Sequence, residues 1–347
     1  MPGPDYNILS RFIHKVALQY PAVAEMSFDI ENALVKKKQG QPANHVFISG
    51  LARSGTTILL QYLYRTGAFT SLTYSDMPFV LMPNTWKKIS HKKNASVQQE
   101  RAHADGILIG PDSPEAFEEI FWRVFYGKNY IRDDRLTEHY VDADLSRKFK
   151  NYIGNVLGAG TSGDKKRYLS KNNNNILRID YLQKAFPEAH IVVPFRDPLQ
   201  QAISLLNQHV CFCEMHKTDR FSLSYMNWLG HFEFGLNQKP FFLGDEGVFS
   251  EMQRHTKTDI NFWLLTWKNY YQFLLSHTGH NTILLNYEKF CSDPEFTLMA
   301  LFSKINIPNP VFELQPFTPA IKSVAGFDKD ILDECRSIYK TLEKQSR

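Results

Sequence analysis

The sequence predicts an α/β fold in three layers, a central parallel sheet flanked by helices, with helical and looped insertions between its strands. Three observations predict it. Short apolar runs at 46–48, 190–195 and 282–285 have the length and continuous hydrophobicity of strands buried on both faces. A segment of helical character follows each run, and strands alternating with helices imply crossovers between parallel strands. The first run leaves through a turn bounded by Gly50 and Gly55, the punctuation of a strand that passes straight into a helix.

Taken in order, the elements begin with an amphipathic helix within residues 1–34, where Ile8, Phe12, Ile13, Val16, Ala17 and Tyr20 share a face. After the strand at 46–48, Ile58, Leu59, Tyr62 and Leu63 recur at helical spacing and Gly67 ends that helix. A turn-rich segment covers 73–78. Residues 85–165 are polar and read as helix or loop laid over the core. The core resumes with a strand at 167–171 and a helix at 176–186. The strand at 190–196 carries Pro194 near its end, where a missing N–H is tolerated. Asp197 and Pro198 are a natural N-cap and first residue for a helix expected to reach about His209. Residues 210–258 form a second insertion, 260–276 a helix and 281–287 another apolar strand. One more helix starts at 292–295, and a final one follows 318–326.

The 347 residues are 43% hydrophobic and 22% charged, a globular composition, so disorder is not the default. One domain over 1–347 is expected, its core at about 44–84 and 167–305 and its insertions at about 85–165 and 210–258. A net charge of +4 is too mild to make nucleic acid a partner. The Lys-rich clusters at 36–38, 87–88, 92–93 and 165–167 read as solvated surface. Cys211, Cys213, Cys291 and Cys335 lack zinc-ligand spacing and read as free thiols. Neither a signal peptide nor a run of 18 apolar residues is present, so the expectation is a soluble, cytoplasmic protein, with room left for peripheral contact with a membrane.

The spacing Gly50-x-x-x-x-Gly55-Thr56-Thr57 builds a cradle in which backbone N–H groups and a helix N-terminus converge on an anion. It resembles the nucleotide-triphosphate loop except that Thr56 stands where a Lys would reach the terminal phosphates, and the cation comes earlier, as Arg53. A second constellation lies at the end of the 190–196 strand. Arg196 offers a forked set of donors, and Ser204 follows eight residues later, two turns into the next helix. The structural alternative makes Arg196 an ion-pair partner of Asp197 or Glu188 and leaves Ser204 an ordinary helix residue.

Together these sites resemble the sulfotransferases that use 3′-phosphoadenosine 5′-phosphosulfate. Ala52-Arg-Ser-Gly-Thr-Thr57 matches the family's 5′-phosphosulfate loop with Ala52 in place of Pro. Lys171-Asn-Asn is similar to its Lys-x-Pro segment, with Asn173 in the Pro position. Asn286-Tyr-Glu-Lys-Phe290 and Asp293-Pro294 are similar to its late strand end. The likeness spans about 45–70 and 167–305. The stretches at 73–81, 103–106 and 112–117 look like a bacterial branch of unassigned or surface-glycan sulfotransferases.

The resemblance implies that Arg53 serves the leaving-group oxygen and that the backbone of Ser54, Gly55, Thr56 and Thr57 cradles the 5′-phosphate. It assigns Arg196 and Ser204 to the 3′-phosphate, makes Lys171 a second cation near the sulfonate, and has Lys322 close a late basic loop over the nucleotide. No metal is implied. A hydroxyl acceptor needs a general base, and the candidates in order are Asp76, His103 and Glu115; His209 fits a helix end better than catalysis. A glycan acceptor would find Tyr74, Phe79, Trp86, Trp122, Tyr225, Trp228 and Phe232 available for stacking, although most such rings are core. The rival readings are a P-loop small-molecule kinase or NTPase, disfavoured by Thr56, and a non-catalytic nucleotide-binding scaffold.

Overall fold

The computed structural model describes residues 8–35, 44–90, 99–100, 108–160, 166–308 and 321–346. Two helices open it, α1 (Ile8–Gln19) and α2 (Pro21–Leu34), split where Pro21 withholds an N–H. Next come β1 (Val46–Ile48), α3 (Thr56–Arg65), β2 (Phe69–Thr70) and α4 (Pro83–Ile89). A small hairpin, β3 (Gln99–Glu100) and β4 (Leu108–Ile109), precedes α5 (Glu119–Tyr130), β5 (Leu136–Thr137) and α6 (Ala143–Gly158). The core continues as β6 (Arg167–Lys171), α7 (Ile179–Ala185), β7 (His190–Phe195), α8 (Pro198–Thr218) and α9 (Arg220–Leu229). It ends with β8 (Phe241–Phe242), α10 (Glu246–Gln253), α11 (Ile260–Ser276), β9 (Thr282–Asn286), α12 (Tyr287–Ser292), α13 (Pro294–Lys304) and α14 (Lys329–Gln345).

The main sheet has the order β2-β6-β1-β7-β9 with every pairing parallel. β1 lies in its middle, Ile48 in register with Lys171 on one side and Val192 on the other. The chain leaves β1 toward β2 on one side and later crosses from β6 to β7 on the other. That reversal opens a crevice at the strands' carboxyl ends. Alternation along β1 assigns the two faces. Val46 and Ile48 pack with Leu59, Leu60 and Leu63 of α3 and Leu298 and Phe302 of α13. Phe47 points the other way, into a larger core with Phe121, Phe149, Tyr168 and Trp263.

Two helices of the segment read from the sequence as laid over the core contribute to that larger core. Ile120, Phe121, Trp122, Phe149 and Tyr152 are fully buried, so α5 and α6 are part of the layer covering one face. Their exposed charges, Arg147 and Lys150 among them, gave the segment its polar look. Two helix boundaries also differ. The segment read as a helix from 176 begins as a 3-10 turn at Asn173–Arg178, because Asn172 Oδ1 accepts the Asn174 N–H and draws the backbone into a tighter turn. α8 runs to Thr218 instead of ending near His209, and it stops where Asp219 caps α9. The N-terminal hairpin joins the same body: the buried Glu31 accepts the N–H groups of Asn84 and Thr85 at the start of α4.

Beneath the sheet's carboxyl edge lies an ionic hub. Arg178 donates to both oxygens of Glu119, at 2.8 and 3.0 Å, and both side chains are sealed from solvent (0% and 1% exposed). Asn172 Nδ2 bonds Glu119 at 2.7 Å and Glu118 at 3.2 Å, and Tyr168 OH bonds Glu118 at 2.9 Å. The Tyr130 hydroxyl completes the set on Glu119, and the Arg178 guanidinium lies 4.5 Å above the Trp122 ring. Trp122 is therefore a core residue and is not available to a sugar. A buried pair of this kind costs most when halved. Arg178→Met alone should destabilise the protein by about 3–5 kcal/mol in urea denaturation, while Glu119→Leu combined with Arg178→Met should recover much of that loss.

Candidate active site

The loop between β1 and α3 turns sharply because two residues adopt left-handed backbone: Arg53 (φ 70°) and Gly55 (φ 90°). Gly55 cannot be replaced cheaply, since a Cβ there would stand 2.7 Å from the Tyr287 ring. As at any helix start, the first N–H groups of α3 have no intrahelical acceptor, so Gly55, Thr56 and Thr57 present donors at the carboxyl edge of β1.

Turning the N–H groups outward forces the preceding carbonyls inward, where each must find a donor. Gln201 of α8 supplies it: its Nε2 donates to Leu51 O at 3.2 Å and Ala52 O at 3.0 Å. Its Oε1 accepts from Trp267 Nε1 at 3.0 Å, and Tyr271 OH, 3.1 Å from Pro194 O, stands nearby. Ser54 Oγ donates to Leu51 O at 2.8 Å. The loop is thus anchored to α8 and α11 as well as to its own strand.

Arg196 leaves the end of β7 directly beside this loop. Its Nη1 donates to Arg53 O at 3.3 Å, and its guanidinium lies 4.7 Å over the Tyr287 ring. It is 9% exposed, and its Nε has no hydrogen-bond partner among the described residues. The ion-pair alternative fails for Asp197, whose carboxylate caps α8 through the Gln200 N–H at 2.9 Å. Arg53 Nε donates to Ser204 Oγ at 3.0 Å. Residues assigned from the sequence to separate ends of the site thus touch one another. Glu288 braces the assembly by accepting the Asp197 N–H at 3.0 Å and the Tyr339 hydroxyl at 2.9 Å. Burial raises the Tyr287 phenol to about 12, so its ring stays neutral beneath the arginine.

Lys171 is buried at the end of β6, in register with Ile48 and hence at the same edge as the loop. The run at 172–175, a low-complexity tract in the sequence, is buried throughout. Asn172 joins the ionic hub, Asn173 Nδ2 donates to Glu233 at 2.9 Å, and Asn174 Nδ2 donates to Gly230 O at 3.1 Å. Lys322 is exposed, and its backbone is held at the start of α8 by a reciprocal pair of bonds with the Gln200 amide, both 2.9 Å.

Asp76 follows β2, the strand beside β6, and is 1% exposed. Its Oδ2 accepts from Thr73 N at 2.8 Å and Thr73 Oγ1 at 3.0 Å, so it caps the 3-10 turn Tyr74–Asp76. Lys87 Nζ stands 3.6 Å from Oδ1 and also donates to Ala159 O at 3.0 Å. Burial pushes the Asp76 pKa up, opposed by Lys87 and the Thr73 bonds. Lys87, read as plain surface, is this carboxylate's counter-ion. Glu115 lies close by in sequence to the bridge between Thr73 and Pro114, and accepts the Tyr74 hydroxyl at 2.8 Å. His209 is buried inside α8, not at a helix end. It accepts the Gly235 N–H, and burial lowers it to about 4. His103 lies outside the described residues.

Gln201, Tyr287 and Lys87 carried no role in the sequence reading. Only Tyr287 had a signal, its place in the Asn-Tyr-Glu run after β9. Among the described residues no helix is long and apolar enough to cross a membrane, and no group of three His, Cys, Asp or Glu side chains could hold a metal ion.

Residues 45–310 match the model of the Sulfotransferase family. Among solved structures, the sulfotransferase STF9 from Mycobacterium avium aligns over 97% of this chain and 78% of its own, at 14% identity and a TM-score of 0.50, a likeness of fold. The sulfotransferase STF1 from Mycobacterium tuberculosis H37Rv aligns over 96% and 81%, at 13% identity and a TM-score of 0.46. No curated protein matches the sequence.

The Gln201 amide generates a prediction. In Gln201→Leu the Leu51 and Ala52 carbonyls lose their buried donor, at about 1–3 kcal/mol for each unsatisfied group. The variant should unfold at lower urea concentration, and any variant that remains folded should bind anions at the loop at least about tenfold more weakly by calorimetry.

Proposed function

Since this chain belongs to the sulfotransferase family, we propose that its sulfuryl donor is 3′-phosphoadenosine 5′-phosphosulfate and its acceptor a hydroxyl, that of a glycan. The observation that carries the donor is the convergence of Arg53, Arg196 and Ser204 beside the α3 N-terminus, with an Arg196 Nε that is buried and has no hydrogen-bond partner among the described residues. A nucleotide with phosphates at both its 5′ and 3′ positions supplies anions for both halves of that arrangement, and a neutral ligand would leave a buried cationic donor unmet.

In this reading the N–H groups of Ser54, Gly55, Thr56 and Thr57 hold the 5′-phosphate, and Arg196 and Ser204 hold the 3′-phosphate. Lys322, tethered through Gln200, stands beside the start of α8 and offers a further cation to the nucleotide. The donor brings a sulfonate already activated by a good leaving group. Arg53 and Lys171 contribute positive charge where negative charge grows as the acceptor oxygen attacks in line. Asp76 takes the acceptor's proton. Its burial makes the carboxylate more basic than a free aspartate, and Lys87 limits that rise so that the ionised form remains accessible. Support for Asp76 over Glu115 is that its Oδ1 is buried without a hydrogen-bond partner among the described residues.

Calorimetric titration tests the donor. Adenosine 3′,5′-bisphosphate should bind without magnesium, and Arg196→Met should weaken it by about 10- to 100-fold, the worth of a charged hydrogen bond. Tighter binding of magnesium–ATP than of the bisphosphate would overturn the assignment in favour of a kinase.

The base is tested by pH. With the folded pKa of Asp76 raised, its proton is held more tightly in the native state than in the unfolded chain. Stability from this group is therefore full below the unfolded pKa and is lost as pH rises through the folded one. Asp76→Asn should hold or raise the melting temperature at neutral pH while lowering kcat by about 10²–10⁴. The acid limb of the wild-type kcat/KM profile should lie above the ordinary aspartate value of 3.8. A variant with undiminished kcat would move the role to Glu115 or His103.

A further inference from the structure

Arg196 ends a chain of contacts that begins on the C-terminal helix. Tyr339 of α14 is half-buried beside the ends of β7 and β9. Its ring meets that of Phe195, the residue before Arg196, edge to face at 5.5 Å between centroids. Its hydroxyl is used twice: it accepts from Asn286 Nδ2 at 3.0 Å and donates to Glu288 Oε2 at 2.9 Å. Burial and the Glu288 carboxylate push the phenol well above its ordinary pKa, so the hydroxyl keeps the proton that it donates. Glu288 turns its other oxygen to the N–H of Asp197, the residue after Arg196, at 3.0 Å.

Arg196 is therefore held through both of its neighbours in sequence. It is also held from below. Tyr287, whose ring lies 4.7 Å beneath the guanidinium, stands in sequence between Asn286 and Glu288, the two residues that bond the Tyr339 hydroxyl. One hydroxyl thus bears on the strand end from which Arg196 projects and on the ring over which it stacks. The phosphate loop has a different support, since Gln201 and the Ser54 hydroxyl hold its carbonyls. α14 itself is seated independently of Tyr339, by the buried Ile331, Leu332, Cys335 and Leu342 and by the ion pair of Glu334 with Lys268 on α11.

We propose that Tyr339 and Glu288 are positioning residues for the donor, and that through them the C-terminal helix sets the aim of Arg196 and so the affinity for the nucleotide's 3′-phosphate. The inference rests on the donor reading above and deepens it. A forked guanidinium rewards a phosphate only when its direction is fixed, because hydrogen bonds weaken steeply as they bend. The coupling is reciprocal: if the seating of α14 strengthens a ligand held by Arg196, that ligand must in turn hold α14 in place.

The test is calorimetry on the full chain with two probes, adenosine 3′,5′-bisphosphate and adenosine 5′-monophosphate, which differ only in the 3′-phosphate. Tyr339→Phe keeps the ring and removes the hydroxyl. It should weaken the bisphosphate by about three- to tenfold, the worth of one hydrogen bond, and leave the monophosphate unchanged. Glu288→Leu, which removes both acceptors, should weaken the bisphosphate at least as much, and adding Tyr339→Phe to it should cost little more, as for residues acting in one chain. In the wild type, hydrogen exchange along α14 should slow more with saturating bisphosphate than with saturating monophosphate. A merely structural role would weaken both probes alike. Equal loss for the two probes, no loss for the bisphosphate, fully additive effects in the double variant, or an α14 that responds alike to both probes overturns the inference. A wild type that binds the bisphosphate no more tightly than the monophosphate overturns the donor assignment instead.

Discussion

The phosphate loop depends on the side-chain amide of Gln201. A loop that aims its N–H groups at an anion must aim carbonyls the other way, and here they face a dry interior. Gln201 meets Leu51 O and Ala52 O with one NH₂ group and receives Trp267 Nε1 on its oxygen. Trp267 Nε1 also lies 3.1 Å from Arg196 O. One fully buried amide therefore fixes the curvature of the loop, the packing of α11 against α8, and the strand end from which Arg196 projects. The N–H face of the loop, the proposed anion site, exists because its reverse face is saturated.

A second constraint works from the opposite side of β1. Glu118 and Glu119 place two carboxylates in the core against the guanidinium of Arg178, and the shortfall in positive charge is offset by hydrogen bonds from Tyr130, Tyr168 and Asn172. Such an arrangement is weak evidence for stability, because desolvation of the charges opposes their attraction. Its consequence here is positional. Asn172 is tethered to both carboxylates while its backbone N–H bonds Ile48 O at 2.9 Å, so the residue after Lys171 is fixed in two directions. Lys171, the residue before it, shares that support.

What the sequence made legible is what the backbone decides locally. The strands, the Gly50–Gly55 turn, the Asp197-Pro198 helix start and the Arg196–Ser204 spacing depend on neighbours within about two helical turns. What it hid depends on distant partners. Gln201 is one polar residue on a long helix until Leu51, 150 residues earlier, is seen beneath it. Lys87 belongs to a Lys pair that looks solvated until the fold brings it over Asp76. The four asparagines at 172–175 look alike in the sequence, although each side chain is buried. α5 and α6 looked peripheral because their exposed charges are conspicuous while their buried aromatic residues carry no distinguishing period. Trp122 shows the same limit: a ring suited to a sugar and a ring suited to a guanidinium in the core are the same residue type.

The contact between Arg53 and Ser204 bears on how the site meets its ligand. Arg53 holds an unfavourable backbone angle, φ 70°, which costs a non-glycine residue on the order of 1 kcal/mol or more. That conformation directs its carbonyl to Arg196 and allows its side chain to reach Ser204. The cationic groups are thus held together by neutral acceptors, a carbonyl and a hydroxyl, before any anion arrives. In the proposed reading, exchange of those neutral acceptors for phosphate oxygens adds a negative charge opposite donors that are already cationic, without rebuilding the loop. The ordering cost has been met during folding, by Gln201, Tyr287 and Glu288, so binding free energy remains for orienting the reacting groups.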